Sequence, residues 1–326
     1  MKKILFINAD SAKPRCAVFQ AGKIYADAMK FCKEIELAYF EFSSVGGFLP
    51  SPVNPIVYDA VIFNYQHVTM QHIPPAYFSH CPVAIGFLYE ARSDPFSSPM
   101  HIPGLQVGQL FDVLISPDPT LDSNPKVWGV PRVIPRLLPE SYKAPGNAYP
   151  VISTFGFPSP WKNLEGVIDM INAEFGNATF RLNFAPASHQ EGTVLQKQQI
   201  DSAMDLRDLA GPGIKIEITQ DYKTDEELVK WLAESDLNVF LSYPERGIQT
   251  GGALLASADM AISAQRPLFV SNNIEARHLE WCDFPTLTMA IDRGEYYTRR
   301  LYDLWSPENF AKAMDERIRD YYDIVA

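Results

Sequence analysis

The run Val151–Met170, VISTFGFPSPWKNLEGVIDM, decides how the rest of the chain is read. Its first seven residues, Val151–Phe157, carry no charge and do not alternate, which fits a strand covered on both faces. From Asn163 to Phe175 the period changes, and Leu164, Val167, Ile168 and Ile171 fall on one face of a helix. Between strand and helix lies a short loop running from Gly156 to Lys162. A glycine at a strand end lets a ligand approach the backbone. Lys162 adds a cation where the free N–H groups of a helix start already favour anions. Strand, glycine, lysine and helix in that order suit a diphosphate. The same spacing also fits a surface lysine on a proline-rich turn.

Downstream, the pattern repeats. Phe180–Ala185, Ile214–Thr219, Leu237–Ser242 and Leu268–Ser271 read as further strands. Thr224 followed by Glu227 forms a capping box for a helix whose apolar stripe is Leu228, Trp231 and Leu232. Gly251 to Ala264 reads as a small-residue helix, and Ser306-Pro307-Glu308 opens a last one through Phe310, Met314 and Ile318.

Upstream, Ile4–Ala9, Ile35–Phe42, Tyr58–Asn64, Pro82–Leu88 and Phe111–Ser116 are short apolar runs, with helix-forming composition at Ala21–Phe31. Val133-Ile134-Pro135 reads as a last strand of this half. Leu138 to Pro150, with three prolines and little apolar periodicity, reads as the linker. Strands alternating with helices in both halves predict an α/β protein of two doubly wound, Rossmann-like lobes facing across a cleft. The expected division is 1–140 for the first lobe, 150–305 for the second and 306–326 for a terminal helix crossing back to the first. A chain of 326 residues suits two such cores.

Composition narrows the function. A net charge of −11 argues against a nucleic-acid partner, which would require a basic footprint. No apolar stretch nears the 18 or so residues of a transmembrane span. Cys16, Cys32, Cys81 and Cys282 form no CxxC pair, which fits a reduced, cytoplasmic setting. His72, His80, His101, His189 and His278 show no HxH or HExxH spacing, so no metal is expected. GxGxxG is absent after the first strand of either half, against a dehydrogenase.

In doubly wound sheets the ligand sits at the carboxyl ends of the strands. After Leu237–Ser242 comes Tyr243-Pro244-Glu245-Arg246-Gly247-Ile248-Gln249-Thr250-Gly251-Gly252-Ala253. Backbone N–H groups of Thr250, Gly251 and Gly252 can hold phosphate oxygens, Arg246 can neutralise them, and Glu245 can accept from hydroxyls. The glycines also fit mere close packing of helix on sheet. In the first half the strand-end residues are Asp10, Ser11, Lys13 and Arg15, then His67, then Tyr89, Glu90 and Arg92. A histidine or carboxylate there can take a proton from a hydroxyl, or simply cap a strand end.

These segments in this order resemble a glycosyltransferase of the GT-B fold, most similar to the retaining family 4. Ser153–Met170 is similar to the phosphate-binding start of that family's second domain, Asp225–Leu241 (DEELVKWLAESDLNVFL) to its next stretch, and Ala261–Ser271 (AISAQRPLFVS) to its "A.a.G.Pvv.s" element. The resemblance covers Val151 to Leu279, and the first half matches in strand pattern only. It implies a nucleotide-diphospho-sugar donor as substrate, with no resident cofactor, and a sugar, lipid-linked or protein acceptor. By resemblance, Lys162 pairs with the diphosphate and Glu245, a catalytic candidate, contacts the donor sugar, while Gly156, Arg246, Gly247, Thr250, Gly251, Gly252 and Asp259 are the other donor-side candidates. Glu90 and His67 are the acceptor-side catalytic candidates, and Asp10, Lys13, Arg15 and Arg92 face the acceptor. The family's second glutamate, eight residues after the first, falls on Ala253, or on Met260 when counted back from Pro267. Gln265 stands where the family has glycine, and Glu275 answers to the acid or to the glycine-rich turn beyond that element.

Overall fold

A computed structural model of the chain describes residues 1–8, 16–41, 54–65, 73, 75–89, 110–157, 159–184, 194–243 and 254–325. The chain forms two compact units, Met1–Val133 with Trp305–Ala326, and Ile134–Thr250 with Leu254–Leu304.

The first unit is built on six parallel strands: β1 (Lys2–Asn8), β2 (Ile35–Glu41), β3 (Ala60–Asn64), β4 (Ala84–Phe87), β5 (Val113–Ser116) and β6 (Val127–Gly129). Their order is β2-β1-β3-β4-β5-β6, so the chain reverses direction across the sheet between β1 and β3. Alternate residues of β1 feed opposite cores, because strand side chains point to opposite faces in turn. Ile4 and Phe6 pack with one cluster, and Leu5 and Ile7 with another. Helix α1 (Ala17–Met29) and the chain's last helix, Pro307–Val325, cover the first of these faces through Tyr25, Met29, Phe310, Met314 and Ile318. Helix α2 (Pro75–Ser79) contributes Phe78 to the second. Both faces are therefore dry, which explains why these strands read as unbroken apolar runs.

Val133 and Ile134 are buried but form no strand. Pro131 and Pro135 bracket them, and proline has no N–H to give a ladder. The sixth strand is instead the three-residue Val127–Gly129, too short to show a period.

The second unit has five parallel strands: β7 (Val151–Phe155), β8 (Ala178–Asn183), β9 (Ile214–Thr219), β10 (Leu237–Phe240) and β11 (Leu268–Val270). The order β11-β10-β7-β8-β9 shows two strands added on one side of β7 and two on the other. Between them run α3 (Leu164–Glu174), α4 (Val194–Asp205), α5 (Asp225–Ala233) and α6 (Ser257–Ser263), and α7 (Leu287–Leu304) follows β11. α3 buries Val167, Ile168 and Ile171, the stripe expected from the sequence. α5 carries the capping box, with the Thr224 N–H donating to Glu227 Oε2 at 2.9 Å and the Glu227 N–H to Thr224 Oγ1 at 3.3 Å. Its buried residues are Val229, Leu232 and Ala233, while Trp231 lies half-exposed under the Arg181 guanidinium at 4.6 Å. α6 starts at Ser257, so the helix expected from Gly251 is shorter, and Gly251–Ala253 lie outside the described residues. Leu138 and Tyr142, in the segment read as a linker, pack beside Leu232 and Ala233. Pro307–Val325 is α8. Among the described residues, no helix is long and apolar enough to cross a membrane.

Candidate functional site

Strands β7 and β10 are neighbours, joined in register at Ile152 with Leu237 and Ser153 with Asn238. Successive connections leave β7 and β10 on opposite sides, so no crossover fills the space beyond their carboxyl ends. A pocket of about 50 Å³ opens there, lined by Thr154, Lys162 and Val167 on one side and by Phe240, Ser242 and Ser257 on the other. Its polar lining of Thr154, Lys162, Ser242 and Ser257 suits a phosphoryl group.

The chain leaves β7 through Gly156, whose φ of 105° lies in the region that L side chains rarely adopt. Its N–H donates to Asn183 O at 3.0 Å, closing the end of β8 against β7. A 3₁₀ turn follows at Pro160–Lys162, started by the Ser159 hydroxyl, which accepts from the Trp161 N–H at 3.4 Å. That turn carries Lys162 back over the glycine, and its ammonium donates to Phe155 O, the last carbonyl of β7. A Cβ at position 156 would stand 2.8 Å from that Nζ, so the absence of a side chain makes the lysine's position possible. Asn163, at φ 43° and ψ 43°, then starts α3 with no side-chain cap on the first-turn N–H groups. A cation on the pocket wall and a helix start with an uncapped first turn together favour an anion.

The opposite wall is held by a polar chain. The Ser242 N–H donates to Ser271 Oγ at 2.8 Å, and Asn273 Nδ2 donates to Ser242 Oγ at 2.7 Å. Asn273 Oδ1 accepts from the N–H groups of Glu275 and Ala276, and the Leu255 N–H donates to Glu275 O at 3.0 Å. Glu275 and His278 are buried on this side. Thr154, Leu255 and Ser257 were not singled out from the sequence, because nothing local marks a small polar residue as pocket-lining. Only the pairing of β7 with β10 brings them together. Beneath the pocket, Ser153 Oγ donates to Asn238 Oδ1 at 2.6 Å, a buried polar pair across the two strands.

Of the donor-binding candidates, Lys162 lines the pocket, and Gly156 lies next to its ammonium. Asp259 is half-buried on α6, two residues beyond the lining residue Ser257. Arg246, Gly247, Thr250, Gly251 and Gly252 lie outside the described residues, as do Glu245, Glu90, His67, Asp10, Lys13, Arg15 and Arg92.

The first unit's own reversal point, between β1 and β3, is polar too. Asn64 Nδ2 donates to Asn8 Oδ1 at 2.6 Å and to Val18 O at 2.8 Å, while Asn8 Nδ2 donates to Phe19 O at 3.0 Å and to Tyr39 Oη at 2.9 Å. The Tyr39 hydroxyl in turn donates to Glu41 Oε1 at 3.0 Å. Burial pushes the Tyr39 phenol up to about 12, with Glu41 adding to the shift and Asn8 opposing it. Gly22 makes room for both carboxamides, since a Cβ there would fall 2.0 Å from Asn8 Oδ1 and 2.2 Å from Asn64 Nδ2.

No protein-family model matches the chain, and no curated protein matches it in sequence. Solved structures do. The Anabaena protein HepE, in complex with UDP and glucose, matches over 99% of this chain and 100% of its own, with a TM-score of 0.57 at 13% identity. The UDP-forming α,α-trehalose-phosphate synthase of Burkholderia xenovorans matches over 99% and 100%, with a TM-score of 0.59 at 11% identity. The trehalose-6-phosphate synthase OtsA matches over 99% of both chains, with a TM-score of 0.61 at 11% identity. At such identities the likeness is one of architecture, and the chain has the GT-B fold of these glycosyltransferases.

Proposed function

We propose that the protein is a glycosyltransferase of hexosyltransferase type, moving a sugar from a nucleotide-diphospho-sugar to an acceptor hydroxyl. The observation that carries this reading is the pocket at the β7–β10 reversal point with the Lys162 ammonium on its wall. In such a transfer the bond from the sugar's anomeric carbon to the diphosphate oxygen breaks, and negative charge grows on the leaving group. In this reading Lys162 and the first N–H groups of α3 take that charge, and a preorganised cation supplies what such a step most needs. Arg246, the N–H groups of Thr250 to Gly252, and Gly247 complete the donor site in this reading, with Asp259 beside it. Glu245 holds the donor sugar, and Glu90 or His67 takes the acceptor proton. Retention of configuration and independence of a metal go with the resemblance to the retaining family. HepE's complex with UDP and glucose supports a uridine nucleotide as the first donor to try.

The test is calorimetric titration with UDP-glucose. Replacing Lys162 by Ala removes a charge-assisted contact and is expected to weaken binding by about ten- to a hundredfold. An unchanged Kd would sink the assignment.

A second reading is a nucleotide-sugar-binding protein of the same fold that does not transfer. It is favoured by Ala253 and Met260, which stand where the resembling family places an acid. Hydrolysis or transfer of any nucleotide sugar by the purified protein rules it out.

A further inference from the structure

The described lining of the pocket carries one ammonium, on Lys162, and three hydroxyls, on Thr154, Ser242 and Ser257, with no carboxylate. A hydroxyl gives one proton and accepts on two lone pairs, so it serves an anion only when its proton is turned that way. At Ser242, which is 8% exposed, the neighbours decide the direction. Asn273 stands at the start of the turn after β11, and its Oδ1 accepts from the N–H groups of Glu275 and Ala276 at 3.0 and 3.1 Å. Those two donors fix which end of the carboxamide is the oxygen. The other end is therefore the NH2 group, and it donates to Ser242 Oγ at 2.7 Å. A hydroxyl that accepts from Asn273 cannot point its own proton at Asn273. The Ser242 N–H is already spent on Ser271 Oγ at 2.8 Å. Among the described residues no acceptor takes the Ser242 hydroxyl proton.

We infer that Asn273 is a positioning residue that turns the Ser242 hydroxyl into the pocket as a donor to the phosphoryl group held at Lys162. The inference rests on the proposed diphosphate site. It places a neutral donor on the β10 side of the pocket, opposite the cation on the β7 side. A hydrogen bond to a charged phosphoryl oxygen is about twice as strong as one between neutral groups, so the fixed proton favours the anion over a sugar hydroxyl.

The experiment is calorimetric titration of the full chain with inorganic pyrophosphate and with UDP, for the wild type, Ser242→Ala, Asn273→Asp and the double variant. Aspartate keeps the oxygen that the Glu275 and Ala276 N–H groups need, but it offers Ser242 a second oxygen, which draws the hydroxyl proton out of the pocket. Ser242→Ala and Asn273→Asp are each expected to weaken both ligands by about ten- to a hundredfold. The charge added by Asn273→Asp acts in both backgrounds, so the comparison between them isolates the hydroxyl. The loss caused by Asn273→Asp is expected to be at least about fivefold smaller when Ser242 is already alanine. The same loss in both backgrounds overturns the inference, because Asn273 would then act by charge or by capping its turn. Wild-type affinity in Ser242→Ala overturns it too. If the wild type binds both ligands and Lys162→Ala does not, while Ser242→Ala and Asn273→Asp bind as the wild type does, the inference falls and the diphosphate site stands. A wild type that binds neither ligand overturns the diphosphate site and the inference together.

Discussion

At Gly156 two requirements meet in one residue. The backbone takes a φ of 105°, and the space a Cβ would fill is held by the Lys162 ammonium at 2.8 Å. Gly156→Ala is expected to lower stability by about 1–3 kcal/mol through backbone strain. It should also displace Lys162 and so weaken pyrophosphate binding, the first effect read by urea denaturation and the second by calorimetry. A variant with wild-type values for both would show that neither constraint matters. This part of the site was legible in the sequence because it is local: a strand-end glycine, then a lysine before a helix. Gly22 was not legible. Its neighbours Asn8 and Asn64 are 14 and 42 residues away, and only the pairing of β1 with β3 presses all three together.

Elements whose ends are signed by side chains were read best. The capping box of α5 was visible as Thr224 and Glu227, and the structure forms both of its hydrogen bonds. Thr224→Ala is expected to cost about 1 kcal/mol, as loss of an N-cap usually does. The Thr224 N–H holds the Glu227 carboxyl below the usual carboxylate range. A carboxyl with a lowered pKa in the folded state stabilises that state above its unfolded pKa, near 4.3, and loses the contribution as pH falls through the folded value. Urea midpoints of the wild type should therefore fall more steeply below about pH 4 than those of Glu227→Gln, and parallel curves would contradict this. Helix α7 went unread for the opposite reason. Its buried face includes Ala290, Gly294 and Thr298, so it shows no continuous apolar stripe. Small residues are needed there because position 294 lies against Pro267, where a Cβ would sit 3.1 Å from the proline's own.

For the whole molecule, the first unit is finished by residues nearly two hundred positions beyond its last strand. Phe310, Met314 and Ile318 of α8 enter the core of the β1–β3 sheet, with the Phe310 ring 5.2 Å from that of Tyr25. The Asp315 carboxylate accepts from the N–H groups of Lys33 and Glu34 at 2.8 and 3.0 Å, and the Tyr322 hydroxyl donates to Asp59 O at 2.8 Å. Burial beside Asp315 pushes the Cys32 thiol up to about 12, leaving it unreactive at neutral pH. Phe310→Ala is expected to destabilise this unit by about 3–5 kcal/mol, the usual penalty for emptying a fully buried aromatic site. Hydrogen exchange should rise in β1, β3 and α1, and Cys32 should become open to thiol reagents, while β7 to β11 keep their protection. Loss of protection spread evenly over both sheets would contradict this assignment.

The sequence by itself determined the fold class and most of the elements. Buried parallel strands must be apolar on both faces and caps must be polar, so ten of the eleven strands among the described residues, their alternation with helices and the Gly156–Lys162 loop could be read along the chain, while β6 and α7 could not. The tertiary structure alone decided which strand ends are neighbours. β7 and β10 are separated by more than eighty residues, and no local signal says that they pair. That pairing sets Thr154, Lys162, Ser242 and Ser257 around one pocket. Sheet order arises from burying all faces at once, a property of the whole core that no single stretch of sequence contains.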